Sequence, residues 1–218
     1  MCPLHPIREI VVCYVTDRRG LAGSLGSAEP LLLKRIEQAA RAGVDWIQLR
    51  EPDLSARELA ALAEEALSRA GAAGRLLIND RLDVACVLQA AGVHLGEKSL
   101  PTGEAKRLAK QRRAGEFLVG VSVHSLQAAR QAEDSGADYM TFGPVFATPA
   151  KAQFGPPQGI EKLKQICDEV KIPVLAIGGI TAENARHCLE AGASGIAAIR
   201  LFQEAGDLRG IVKRLRGA

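Results

Sequence analysis

The sequence has no closely spaced cysteine pair: Cys2, Cys13, Cys86, Cys167 and Cys188 are scattered through 218 residues without a C-x-x-C spacing. That scatter argues against a disulfide framework and against a zinc site, and Cys13 and Cys86 sit in apolar runs where a thiol behaves as a small hydrophobe. Aromatic residues make up only 4% of the chain and the net charge is +3. So little stacking surface and so small an excess charge give no footing for nucleic-acid binding. No apolar run approaches the length of a bilayer, and residues 1–10 carry proline and charge where a signal peptide needs an apolar core. These absences predict a soluble cytoplasmic protein with neither nucleic acid nor membrane as partner. With no linker or low-complexity break, residues 1–218 are expected to form a single domain.

What the chain does contain is a repeat of one physical pattern. A helix-like tail, a glycine and an apolar run recur around Gly43, Gly92, Gly136 and Gly192. Glycine in the left-handed conformation closes a helix, so each repeat reads as a helix end followed by a strand. The apolar runs predict strands near 11–15, 44–49, 75–79, 92–95, 117–122, 138–142, 173–177 and 195–199. Helical patterns lie between them, one opening with the capping-box sequence Ser55-Ala-Arg-Glu58. Eight strands alternating with helices predict an α/β fold, a (β/α)8 TIM barrel.

The segment Pro173-Val-Leu-Ala-Ile-Gly-Gly-Ile-Thr181 ends a predicted strand in a glycine pair, and Gly195-Ile-Ala-Ala-Ile-Arg200 follows one helix later. Backbone N–H groups at Gly178 and Gly179 stay open to an anion because no Cβ covers them. Loops after strands 7 and 8 of such a barrel commonly hold phosphate. A glycine pair also serves simply to turn a chain tightly.

Polar residues cluster at the ends of the other strands. Gln48 and Arg50, two apart, face the same side of strand 2, and the guanidinium of Arg50 suits a phosphate or carboxylate. Strand 3 ends in Asn79-Asp80, strand 4 carries His94, and strand 5 ends Ser122-Val-His124. A strand-end aspartate is often a helix cap, and a lone histidine is often a satisfied core group. Their joint position at one end of successive strands points to a site. The long connection from Gly143 to Gln158 would rise over that end, bringing Thr148 and Lys151 towards a charged substrate.

The ordered set Tyr14-Val-Thr-Asp-Arg18, Gln48-Leu-Arg-Glu51, Ile78-Asn-Asp-Arg-Leu-Asp83, Gly92-Val-His-Leu-Gly96, Gly120-Val-Ser-Val-His124, Ala137-Asp-Tyr-Met-Thr-Phe-Gly-Pro144, Gln158-Gly159 and Ala176-Ile-Gly-Gly-Ile180 resembles the thiamine phosphate synthases and their TenI-type relatives, over nearly the whole chain. The resemblance implies a (β/α)8 barrel that joins a hydroxymethylpyrimidine diphosphate to a hydroxyethylthiazole phosphate with Mg²⁺ assistance, releasing pyrophosphate. It implies Gln48 on the pyrimidine, Arg50, Asn79, Ser122 and Lys151 on the diphosphate, and Asp80 on the metal. Thr148, Gly178 and Gly179 would then face the thiazole phosphate. The expected partners are these small phosphorylated pyrimidine and thiazole molecules, with a homo-oligomer left open.

The chain departs from the synthase pattern at four places. Pro52 stands where many synthases carry lysine, Ser99 where a second metal-binding aspartate is usual, Ala150 where a loop threonine is usual, and Arg200 where a serine follows strand 8. Glu97 lies close enough in sequence to substitute for the lost carboxylate, and Arg200 can grip a phosphate with paired donors. The same resemblance includes two alternatives. One is a thiazole tautomerase, in which His124 moves a proton. The other is a catalytically silent protein that binds thiazole or thiamine phosphate in regulation.

Overall fold

Side chains along a β-strand alternate between two faces, and in this chain both faces are apolar, as a strand buried on both sides requires. The computed structural model describes residues 10–21, 28–96, 98–112, 116–148 and 156–217. Among them run β1 (Val11–Val15), α1 (Ala28–Ala42), β2 (Trp46–Leu49), α2 (Ala56–Ala70), β3 (Arg75–Asn79), α3 (Leu82–Val87), β4 (Gly92–Leu95) and α4 (Thr102–Arg112). There follow β5 (Leu118–Val123), α5 (Leu126–Asp134), β6 (Tyr139–Phe142), α6 (Ile160–Glu169), β7 (Val174–Ile177), α7 (Ala185–Glu190), β8 (Gly195–Ala198), α8 (Arg200–Gln203) and α9 (Leu208–Arg216). Each strand pairs in parallel with the next, and β8 returns to β1 with Val11 opposite Gly195, closing the barrel. The predicted (β/α)8 architecture is the one found, with strand limits within two residues of those expected.

Two apolar cores follow from the alternation. Val12, Tyr14, Ile47, Leu76, Ile78, Val93, Val119, Met140 and Phe142 point outward and pack under the helices. Val11, Cys13, Val15, Trp46, Leu77, Leu118, Tyr139 and Leu175 point inward and fill the barrel. The bottom is stitched by aspartates: Asp45 accepts the Val12 N–H at 2.8 Å, and Asp138 accepts that of Val119 at 2.7 Å. Ser55 and Glu58 form the expected capping box at the start of α2.

One expectation needs correction. Gly43, Gly136 and Gly192 adopt positive φ at helix ends, but before β4 the left-handed residue is Gln89 (φ 53°). Gly92 is instead the first residue of β4, where an added Cβ would lie 2.2 Å from the Leu118 carbonyl oxygen. It is a glycine for closeness to β5 rather than for helix closure.

Candidate active site

The C-terminal ends of the strands bring most of the expected residues to one mouth. Gln48, only 3% exposed, donates from Nε2 to Asn79 Oδ1 at 2.9 Å across the β2–β3 pair. This bond commits the Asn79 carbonyl and leaves the Asn79 amide hydrogens for another acceptor. Arg50 follows β2, half-buried, with its backbone N–H held by Thr16 Oγ1 at 2.9 Å. Asp80 ends the β3 ladder in the left-handed region (φ 65°), its N–H donating to the His94 carbonyl at 2.8 Å. The turn exposes the Asp80 carboxylate, which accepts no hydrogen bond among the described residues.

His94 lies deep in the mouth, 2% exposed, with Nδ1 2.9 Å from Tyr139 Oη and Nε2 2.9 Å from Ser122 Oγ. Burial, and then the nearby charge of Arg50, lower its pKa to about 3, so the ring is neutral. Tyr139 keeps its proton, because complete burial pushes the phenol upward. That proton has His94 Nδ1 as its acceptor, which places the imidazole hydrogen on Nε2, facing Ser122. The opposite tautomer would leave a buried phenol proton without an acceptor, at a cost of about 1–3 kcal/mol.

Stability follows from this neutrality. The unfolded chain takes up a proton near pH 6.5 whereas the folded one resists until about 3, so His94 destabilises the fold progressively as pH drops through that window. Urea unfolding at pH 7 and pH 4.5 is expected to show wild type losing about 2 kcal/mol more than His94→Gln. Parallel losses in the two proteins would refute the neutral ring.

His124 follows β5 and donates from Nδ1 to the Gly143 carbonyl, which can only accept. Gly143 precedes the cis bond to Pro144, and a Cβ on it would fall 2.0 Å from the Ile177 oxygen. The long connection is pinned at both roots. Val145 and Phe146 donate to Ile177 and Gly178, and Gln158 and Gly159 donate back to Pro144 and Val145.

Gly178 (φ 95°) and Gly179 (φ 66°) carry this packing, since their added Cβ atoms would lie 2.5 Å from Pro144 Cα and 2.6 Å from the Ala147 oxygen. The pair therefore does turn tightly under the loop. The Gly178 N–H lies at the end of the β7–β8 ladder, where Ile177 pairs with Ala197, and the Gly179 N–H has no protein acceptor among the described residues. Arg200, exposed at the start of α8, reaches Thr148 Oγ1 with a long 3.4 Å contact, so these two expected phosphate residues meet. Lys151, Ala150 and Glu97 lie outside the described residues. Ser99 is used locally, its Oγ accepting the Gly96 N–H at 2.7 Å.

Sequence reasoning did not single out Tyr139 and Thr141, although their spacing put both on the inner face of β6. It also missed a buried ionic brace beside the mouth. Arg18 pairs with Glu51 at 3.1 Å and forks onto Asp53 at 2.6 Å, while Thr16 donates to Glu51 at 2.6 Å. Burial raises the Glu51 carboxyl, and the Arg18 hydrogen bonds hold Asp53 well below the usual carboxylate range. The brace fixes the loop after β1 against the chain that carries Arg50.

A family model described as thiamine monophosphate synthase matches residues 15–202. The chain belongs to the thiamine monophosphate synthase family. It is 40% identical over 203 residues to the thiamine-phosphate synthase of Syntrophomonas wolfei, with 93% of this chain and 92% of the relative covered. To the thiamine-phosphate synthase of Moorella thermoacetica it is 41% identical, with 88% and 90% covered. The thiamine phosphate pyrophosphorylase structure from Pyrococcus furiosus matches at TM-score 0.81 and 33% identity, covering 98% of this chain and 96% of its own. Family membership thus spans the whole mouth, from Thr16 to Arg200. No helix among the described residues is long and apolar enough to cross a membrane.

Proposed function

We propose that this protein is a transferase of thiamine biosynthesis, a thiamine phosphate synthase that couples hydroxymethylpyrimidine diphosphate to hydroxyethylthiazole phosphate. The bond from the pyrimidine methylene carbon to the diphosphate oxygen breaks with its electron pair leaving on the diphosphate. The thiazole nitrogen then supplies the pair that forms the new C–N bond. No protein nucleophile is required, and the protein's task is to stabilise departing negative charge and to align the two rings.

The observation that carries this reading is the gathering of donor-rich groups at a single mouth. In this reading Arg50, the Asn79 amide hydrogens and Ser122 face the diphosphate. Gln48, held by Asn79, orients the pyrimidine. The open Gly179 N–H, with Thr148 and Arg200, takes the thiazole phosphate. Mg²⁺ fits the donor set modestly. No group of three His, Cys, Asp or Glu side chains among the described residues could hold it, yet Asp80 offers an exposed carboxylate with uncommitted oxygens. Mg²⁺ is commonly bound by one or two carboxylates and substrate phosphate oxygens, where it neutralises phosphate charge.

Purified protein given Mg²⁺ and both substrates is expected to form thiamine phosphate and pyrophosphate. Lys151→Ala should lower coupling by roughly 10²-fold, the scale of one well-placed electrostatic contact. A chain that only isomerises a thiazole carboxylate phosphate, loses that activity in His124→Ala and ignores Lys151→Ala would instead be a tautomerase. Binding of thiazole phosphate without turnover would mark a silent regulator.

A further inference from the structure

Ser122 sits at the junction of three buried polar groups whose hydrogens can all be assigned. Tyr139 Oη gives its proton to His94 Nδ1, and His94 Nε2–H donates to Ser122 Oγ at 2.9 Å. Thr141, 2% exposed on the neighbouring strand, has its Oγ1 3.3 Å from Ser122 Oγ and 3.4 Å from His94 Nε2. The ring N–H is already committed as a donor, so the Thr141 hydroxyl has Ser122 Oγ as its natural acceptor. A serine oxygen has two lone pairs and one hydrogen. With both lone pairs occupied from beneath, the only capacity left to Ser122 is its own O–H, directed to the half-open side of the residue.

The supporting cluster is rigid. Tyr139 packs against Trp46 with ring centroids 4.6 Å apart and the ring planes tilted by 55°. Its hydroxyl end occupies the space that Gly120 leaves, since a Cβ there would lie 2.0 Å from the tyrosine ring. Both neighbours of the phenol are thus set by the barrel interior, and the direction of its proton is fixed before any ligand arrives.

We propose that Tyr139, His94 and Thr141 act as positioning residues that make Ser122 an obligate hydrogen-bond donor, so that this corner of the mouth accepts an anionic oxygen and rejects a hydrogen-bond donor. The proposal rests on the reading that the leaving diphosphate lies beside Ser122. A hydroxyl free to rotate would spend part of its time presenting a lone pair to that charge. A hydroxyl saturated from below presents only its hydrogen, preorganised for charge that grows as the bond breaks. The effect therefore belongs in kcat rather than in KM for the thiazole partner.

The test combines a spectroscopic and a kinetic measurement on the intact protein. In ¹⁵N spectra of histidine-labelled protein, His94 should carry its hydrogen on Nε2. Ser122→Ala should lower kcat for coupling by about 10²-fold. Tyr139→Phe, which keeps the ring, should lower it about 5-fold, the worth of one neutral hydrogen bond, with KM for the thiazole phosphate unchanged. Adding Tyr139→Phe to Ser122→Ala should cost nothing further, because the two act through one hydroxyl. His94→Leu should fall about 10-fold, and His94→Gln, whose amide nitrogen takes the place of Nε2–H, should recover most of that loss. A hydrogen on Nδ1, or a glutamine variant no better than the leucine one, overturns the proposal. If the hydrogen is on Nε2 but Ser122→Ala couples normally, the placement of the diphosphate is at fault and the proposal falls with it. A hydrogen on Nδ1 beside an impaired Ser122→Ala removes the proposal alone.

Discussion

Asp80→Asn is expected to lower magnesium-dependent coupling by about 10²–10³-fold while the barrel stays as stable as before. Asparagine is chosen because Asp80 holds φ 65°, a left-handed conformation that Asn and Asp tolerate and alanine does not. The exposed carboxylate accepts no hydrogen bond from the described protein groups, so removing its charge breaks no contact of the fold. Stability by urea unfolding should move by no more than about 0.5 kcal/mol. Turnover measured across a range of Mg²⁺ concentrations provides the check, and wild-type rates in the variant would remove Asp80 from the metal. Ser99→Asp should act in the other direction and tighten Mg²⁺ dependence, since a carboxylate there can still accept the Gly96 N–H and has oxygens to spare.

Gly179→Ala is expected to damage both stability and activity. The new methyl would have to enter a left-handed position at φ 66° and meet the Ala147 and Phe146 carbonyl oxygens at 2.6 and 2.7 Å. Backbone cannot yield as a flexible side chain would, so the loop root from Pro144 to Thr148 must lift from β7. Strain and lost contacts of about 2–3 kcal/mol correspond to a fall of roughly 4–12 °C in Tm. Displacing Thr148 from Arg200 by about an ångström should cost coupling a further 10²-fold or so. Scanning calorimetry and steady-state kinetics on one preparation give both numbers. A variant that melts and turns over like wild type would mean that the loop does not depend on this pair.

Local chemistry made the barrel readable, because the glycines before four of the apolar runs and the capping at Ser55 act within a few residues. The exception is instructive. Gly92 looked like the other helix-closing glycines, yet Gln89 takes the left-handed turn and Gly92 answers to Leu118 on the next strand. That requirement is tertiary and leaves no trace in the local pattern. The mouth divides in the same way. Gln48, Asn79, Asp80 and Ser122 were visible as polar residues at strand ends. The bonds from His94 to Tyr139 and Ser122 depend on how β4, β5 and β6 register around the barrel, and no spacing along the chain encodes that. The brace of Arg18, Glu51 and Asp53 likewise joins segments that only closure brings together.

Closure also sets an order of events. Val11 can meet Gly195 only after nearly the whole chain has been made, because the seam joins the first strand to the last. Until then β1 has one free edge and the growing sheet another, each a row of unpaired backbone groups able to pair with a second molecule. Contacts so distant in sequence form slowly. During synthesis the nascent protein must therefore wait with two open edges, and crowding at that stage favours swapped or aggregated chains over the closed ring. A circularly permuted chain opened between α4 and β5 would move that vulnerable seam to the middle of the barrel while leaving every residue of the mouth in place.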